Sequence, residues 1–317
     1  MIIQATLKDW LLDSDVSLQY LVYKNLLEAK QKPLDKLQSR IPLEGWGKAF
    51  MEARNSRGSW GNRYYQPKWA CSHYVLFDLK LMGFPPNDLV KKIVLDVLTK
   101  HRSPDGGINI SSQIKPSDVC VNGMVLNFSA YFLGVSDHFH SLIDYFLDMQ
   151  MEDGGFNCEK ISHGARHSSV HTTLSVLEGL LEYKKAGNTY KIDDVTRMEE
   201  EAFDFLLVHH FFLSHKTLQV IHRDMTTFTY PYRYRLDALR ALEYVVEANR
   251  PYDDRMQEAL DLLLKRRSPD GKWKNNGIKP GQTLVVFEEN GSISRINTYR
   301  CLRVLKYFKK LGMTFEF

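Results

Sequence analysis

Two kinds of helical segment alternate along the chain, and they differ in how their apolar residues are distributed. The first kind opens at an acidic or capping residue and carries one apolar stripe; such segments start at Asn87, Ser136, Asp193 and Asp253. That pattern predicts surface helices with a single buried face. The second kind is apolar or small on nearly all sides, at 69–83, 118–134, 171–181 and 297–312. A helix without a polar face is buried all round, so the alternation predicts outer and inner helices.

A short glycine block lies between outer and inner helices. Gly58, Gly106 and Gly154 are spaced 48 residues apart, and a fourth block surrounds Gly271. Each block is followed by one bulky apolar residue: Trp60, Ile108, Phe156 and Trp273. Glycine permits the positive φ of a tight turn, and we expect the bulky residue to anchor that turn in the core. A fixed period of this size is typical of repeat architectures.

Units of about 50 residues would occur five or six times in the 317 residues of the chain. Segment 16–28 belongs to the first unit, which lacks the glycine block, and 226–244 is a degenerate unit with Phe228 as its anchor. We therefore predict an all-α fold, an α/α toroid in which inner helices form a ring within outer helices, with residues 1–317 as a single domain. An open superhelix is the alternative, because a period alone does not determine closure.

Composition and charge argue against several classes of function. The chain is 44% hydrophobic and 25% charged, with a formal net charge of +4. Its basic residues are dispersed and form no nucleic-acid motif, so we predict no nucleic-acid partner. The four cysteines have no framework spacing, which favours free thiols or ligands over disulfides. Neither a signal peptide nor a run of 18 apolar residues is present, so we predict a cytoplasmic protein without a transmembrane segment.

Two stretches resemble the terpenoid cyclase and protein prenyltransferase (squalene-cyclase-like) superfamily. Residues 150–157, QMEDGGFN, are similar to its Q-x-x-D-G-G-F repeat core, and residues 117–120, SDVC, resemble the segment that follows. The resemblance covers roughly 46–308 and is closest to bacterial single-domain relatives of unassigned function. It implies a toroid with a central cavity lined by the amino-terminal ends of the inner helices. It also implies an isoprenoid or other apolar small molecule as the ligand.

Three residues form a candidate zinc site. Asp118 and Cys120 begin one inner helix, and His171 begins the next, 51 residues after Cys120. Carboxylate, thiolate and imidazole are suitable zinc ligands that leave a fourth position open. The resemblance implies the same set, because protein prenyltransferases bind zinc with a D-x-C motif and a later histidine. There the zinc activates a substrate thiol, and a lysine placed as Lys115 is here contacts the diphosphate.

The chain also departs from the prenyltransferase pattern. Ser112 stands where the family has arginine, Val121 stands where it has tyrosine, and 69–73 offers no counterpart of its His-Gly motif. Protein prenyltransferases need a second subunit, about which this sequence gives no information. The alternative for the three candidate ligands is structural: a packed cysteine, an aspartate N-cap and a hydrogen-bonded core histidine.

A tyrosine–arginine segment precedes a later inner helix. Tyr232, Arg233, Tyr234 and Arg235 could line an anion site. Arg295, at the start of the last inner helix, could also contact an anion. The alternative is stacking and ion pairing, with Asp237 or Glu243 as partners of the first group and the carboxylates of 288–289 for Arg295. The D-x-D-D acid of class II cyclases is absent, and no carboxylate pair typical of a glycosidase is evident.

The leading hypothesis is therefore a zinc-dependent, prenyltransferase-like enzyme that acts on an isoprenoid or thiol substrate in a central cavity. A cyclase-like or lipid-binding toroid without metal is the second hypothesis. The third is a non-enzymatic scaffold whose inner helices pack shut, since one fold supports many functions.

Overall fold

The computed structural model describes residues 5–109 and 116–315. Its helices are α1 (Ala5–Leu12), α2 (Val16–Asn25), α3 (Gln31–Gln38), α4 (Gly45–Glu52), α5 (Ser72–Leu81), α6 (Asp88–Lys100), α7 (Val119–Leu133), α8 (His140–Met149), α9 (Glu159–Ser162), α10 (Val170–Lys185), α11 (Ile192–Val208), α12 (Ala238–Glu247), α13 (Gln257–Lys265) and α14 (Arg295–Lys310). Short 3₁₀ turns occupy Ile41–Leu43, Asp137–Phe139, Arg223–Thr226 and Asp254–Met256. Strands β1 (Trp273–Lys274) and β2 (Ile293–Ser294) form one small antiparallel ribbon.

The helices form two concentric rings, as predicted. The inner ring consists of α2, α5, α7, α10, α12 and α14, all of which line one central cavity. The first and last inner helices close the ring: Asn25 donates to the Tyr299 hydroxyl at 2.5 Å, and Lys306 donates to the Leu26 carbonyl at 2.7 Å. The fold is therefore an all-α toroid. The alternative of an open superhelix is excluded, because the first and last inner helices are in contact.

Two inner helices approach each other especially closely. The contact between α7 and α10 is the most extensive between helices of the ring. A Cβ on Gly123 would lie 2.4 Å from the Ser175 carbonyl oxygen, and one on Gly179 would lie 2.6 Å from that of Gly123. Only glycine leaves room for this backbone contact.

The glycine blocks fold into the same turn each time. Gly58, Gly106, Gly154 and Gly271 have φ angles of 79°, 87°, 85° and 80°. Their backbone N–H groups donate to the carbonyls of Asn55, Ser103, Met151 and Ser268. The bulky residues that follow are at most 1% exposed, so the predicted anchors are confirmed.

A side chain at the start of each inner helix holds the anchor by its backbone. The N–H groups of Trp60, Ile108, Phe156 and Trp273 donate to the side chains of Ser72, Asn122, Thr173 and Thr298, at 2.6–3.1 Å. This bond satisfies a buried donor and joins every glycine turn to the inner helix after it. The sequence pattern did not reveal it.

Several helix boundaries differ from the predicted ones. Helix α5 starts at Ser72 rather than at 69, because Trp69 and Ala70 lie in a turn. Helix α10 continues to Lys185, past the predicted end at 181, because its last turn carries charged residues that face the cavity. Within the described ranges, no helix combines the length and the apolarity that crossing a bilayer requires.

Candidate functional site

The central cavity has a volume of about 430 Å³. On five of the six inner helices its lining residues lie from the middle of the helix onward, for example Lys80 on α5, Tyr131 on α7 and Lys185 on α10. The cavity therefore lies toward the carboxyl-terminal ends of the inner helices. The expectation that the amino-terminal ends would line it is wrong.

The loop formed by residues 228–236 explains why the cavity lies toward the carboxyl-terminal ends of the inner helices. It enters the ring before α12 and buries Tyr230, Tyr232 and Arg233. The guanidinium groups of Arg240 and Arg300 both lie over the Tyr232 ring, at 4.3 and 5.1 Å from its centroid. Both tyrosines line the cavity, so the segment occupies the amino-terminal side of the ring and forms the cavity floor.

The predicted anion-binding residues are dispersed. Of that set, Tyr232 lines the cavity, whereas Arg233 donates to Asp78 and Arg235 to Asp224. The Tyr234 ring stacks near Trp69, with 6.2 Å between centroids. The partners of these arginines are thus neither Asp237 nor Glu243, which had been the expected carboxylates. Asp237 instead caps α12 by accepting from the Arg240 N–H at 2.9 Å.

The remaining two members of that set lie elsewhere. The Arg295 guanidinium stacks on Trp10, 4.9 Å from its ring, and donates to the Asp13 carboxylate at 3.2 Å. Arg295 is therefore bound to α1 and to the residue just after α1, and it is not among the residues that line the cavity. Lys115 lies outside the described residues.

The three candidate zinc ligands stand at the amino-terminal ends of α7 and α10. The N–H of Cys120 donates to the sulfur of Cys158 at 3.2 Å, and Asp118 is the N-cap residue of α7. The His171 Nδ1 accepts from the Leu236 N–H at 2.8 Å, and burial lowers the pKa of His171 to about 4. Cys158 is a neighbour of Cys120 that the sequence reading missed.

The described conformation does not gather these three residues into one metal-binding group. Across 5–109 and 116–315, no three histidine, cysteine, aspartate or glutamate side chains stand together as a metal-binding group. The Nδ1 atom of His171 already accepts a hydrogen bond from the Leu236 N–H, just before α12. The zinc set of Asp118, Cys120 and His171 therefore stays a prediction.

Charged pairs line part of the cavity, beside the aromatic and aliphatic side chains of its wall. Glu178 is held by Arg240 through two bonds of 2.8 and 2.7 Å, and Glu243 is held by Arg300 at 2.6–3.0 Å. Nearer the mouth, Lys80 lies 3.2 Å from Glu182. Two parallel hydrogen bonds fix each arginine–carboxylate pair in one geometry.

Glu247 is a second carboxylate near the mouth. Its partners are Lys185, at 2.6 Å, and Arg303. Although burial opposes ionisation, the charges of Arg303 and Lys185 hold the pKa of Glu247 far below its usual range. Glu247 is therefore a carboxylate at any physiological pH.

The sequence did contain a signal for this lining. Glu178 and Glu182 are four residues apart, as are Glu243 and Glu247, and Arg300 and Arg303 are three apart. Those spacings place each pair on one face of its helix. A charged face on an otherwise apolar inner helix indicates charged groups in the cavity, whereas the alternation of helices predicts inner helices that are apolar or small on nearly all sides.

A distant structural likeness, rather than a sequence match, relates this chain to known proteins. No protein-family model matches it, and no curated protein sequence matches it significantly. Among solved structures it is similar to the apo type II terpene cyclase MstE from Scytonema, with 15% identity and a TM-score of 0.46, over 94% of this chain and 88% of that chain. The likeness is too distant to assign an activity.

Proposed function

We propose that the protein binds a small organic molecule in its central cavity. The observation that carries this proposal is the cavity of about 430 Å³, which all six inner helices line. Its size lies within the range of ligand sites, and a few placed polar groups beside aromatic and aliphatic side chains are typical of such sites. Leu21, Leu81 and Leu181 supply the aliphatic part.

The charges favour binding over acid-initiated cyclisation. A general acid needs a protonated carboxyl group whose pKa is raised toward neutrality. The lining carboxylates are each held by arginine or lysine, and the positive charges beside Glu247 lower its pKa. These groups suit recognition of a polar ligand better than protonation of an alkene.

A blocking variant tests the proposal. Leu181 lines the cavity on α10, so Leu181→Trp would fill it, whereas Val208→Trp adds the same side chain at an exposed site, 47% accessible, on α11. Small molecules released by denaturing the purified protein would be identified by mass spectrometry. We expect a compound from the wild type and from Val208→Trp that is missing from Leu181→Trp. Equal recovery from all three folded proteins would contradict binding in the cavity.

Zinc-dependent transfer of an isoprenoid to a thiol is the second candidate function. The sulfur of Cys158 beside Cys120 favours it, because it adds a soft ligand to the predicted set of Asp118, Cys120 and His171. Elemental analysis of protein purified without chelator or affinity tag tests it. About one zinc per chain, lost in both Cys120→Ser and His171→Ala, would support this candidate. Zinc that persists in Cys120→Ser would reject the ligand set.

A further inference from the structure

The cavity holds more positive than negative charge. The residues that line the cavity, together with their ion-pair partners, include six cations and four carboxylates. The cations are Lys24, Lys80, Lys185, Arg240, Arg300 and Arg303, and the carboxylates are Glu178, Glu182, Glu243 and Glu247. The pairs Glu178–Arg240 and Glu243–Arg300 are complete near the floor. Near the mouth, four cations therefore share two carboxylates, which leaves two positive charges uncompensated.

Part of that positive charge lies where water has limited access. The side chains of Lys80 and Arg303 are 19% and 15% exposed, whereas Lys185 and Lys24 are exposed. Lys24, on α2, contacts the Tyr20 ring at 5.6 Å and has no carboxylate partner in the part of the chain that the structure describes. A concave site with low-dielectric walls focuses such a field and attracts a ligand of opposite charge.

One residue that lines the same cavity carries a buried acceptor. Asn127 lines it from α7 and is 3% exposed. Its Nδ2 donates to the Glu178 carbonyl at 2.9 Å, which fixes the orientation of the amide. Its Oδ1 accepts no hydrogen bond from the described residues. A buried acceptor without a donor is costly, and a donor on a ligand would satisfy it.

We infer that the ligand is a small organic anion, such as a carboxylate or phosphate ester, that also carries a hydroxyl or amino group. Lys24, Lys80, Lys185 and Arg303 bind the anionic group at the mouth, and Asn127 Oδ1 accepts from the hydroxyl or amino group within. The inference rests on the proposed function and adds the chemical class of the ligand. It also places the anionic group at the carboxyl-terminal end of the inner helices.

The test uses glycerol 3-phosphate as the probe, titrated calorimetrically into the full chain. We expect saturable binding that Lys24→Gln weakens by about tenfold and Glu247→Gln strengthens, because each changes the mouth by one unit charge. Lys310→Gln is the matched control, since Lys310 pairs with Glu28 and does not line the cavity. Lys24 has no ion-pair partner to lose, so its variant is expected to fold normally.

Asn127 is tested with a second probe. Propyl phosphate has the same anionic group without the hydroxyls, so the wild type should prefer glycerol 3-phosphate and Asn127→Leu should not. Binding of the phosphate esters that persists in Leu181→Trp, or that is unchanged in Lys24→Gln, would overturn the inference. If neither phosphate ester binds, but a neutral probe such as farnesol binds the wild type and not Leu181→Trp, the ligand class is wrong and the proposed function stands. If no probe distinguishes wild type from Leu181→Trp, both are rejected.

Discussion

Arg233, in the loop before α12, donates from Nη1 to Oδ2 of Asp78 on α5 at 2.5 Å, and neither side chain is more than 7% exposed. The guanidinium also lies over the rings of Trp69 and Tyr74, at 5.5 and 5.7 Å. Burial raises the pKa of Asp78, against the attraction of Arg233. This pair holds the segment that separates the cavity from the amino-terminal side of the ring.

Removing one partner of this pair should strongly destabilise the protein. Arg233→Met leaves Asp78 buried without its cation, and the Oδ1 atom of Asp78 already has no donor among the described residues. We expect the free energy of unfolding to fall by about 3–5 kcal/mol, measured by urea denaturation. Asp78→Leu should cost a similar amount.

The double variant is the control. With Arg233→Met and Asp78→Leu combined, no isolated charge remains, and well-packed apolar pairs often replace buried ion pairs at little cost. Its stability should lie well above that of either single variant. Losses that simply add would show that the two residues act independently, contrary to the contact observed.

The glycine turns offer a comparison in which one variable changes. Gly106 and Gly58 occupy equivalent turns with positive φ, yet a Cβ on Gly106 would lie 2.9 Å from the Ser141 carbonyl oxygen, while one on Gly58 meets nothing within 4 Å. Both alanine variants bear the backbone cost of positive φ, about 1–2 kcal/mol. Gly106→Ala should lose clearly more stability in urea titrations, because α8 must move. Equal losses would mean that the turn can shift away from α8.

The sequence predicted those features that depend on local pattern. The glycine turns, their anchors and the alternation of helices follow from φ preferences and helical periodicity, which neighbouring residues determine. The position of the cavity does not follow from local pattern. Residues 228–236 belong to the degenerate unit, and the path of this loop depends on its distant partner Asp78. The candidate zinc site shows a second limit. Successive residues of a helix point about 100° apart, so Thr172 faces Cys158 while His171 faces Leu236.

The bond between anchor and inner helix should contribute measurably to stability. Thr173 accepts from the Phe156 N–H at 3.0 Å, and Thr173→Val keeps the shape but leaves that buried donor unpaired. We expect a loss of about 1–3 kcal/mol. Thr298→Val should behave alike at Trp273. Thr196→Val, on the exposed face of α11, is the control and should change stability by no more than about 0.5 kcal/mol. A loss at Thr173 as small as the control's would show that the bond contributes little.

His73 should make the fold sensitive to acid. It is fully buried on α5, its Nδ1 and the Tyr64 hydroxyl are hydrogen-bonded at 2.8 Å, and its Nε2 has no partner among the described residues. Burial lowers the pKa of His73 from 6.5 to about 3. Below pH 6.5 the unfolded chain takes up a proton that the folded chain does not. The contribution of His73 to the free energy of unfolding should therefore fall by about 1.4 kcal/mol per pH unit as the pH decreases toward 3.

The contribution of His73 can be isolated by substitution. His73→Gln cannot take up that proton, so between pH 6 and 4 its stability should depend less on pH than that of the wild type, by the slope of one proton. The exposed His163→Asn is the matched control, and we expect it to keep the wild-type slope. Tyr64→Phe removes the hydrogen bond but leaves the histidine buried, so it should lower stability without abolishing the slope. A His73→Gln profile parallel to the wild type would show that His73 is protonated in the folded protein, contrary to its burial.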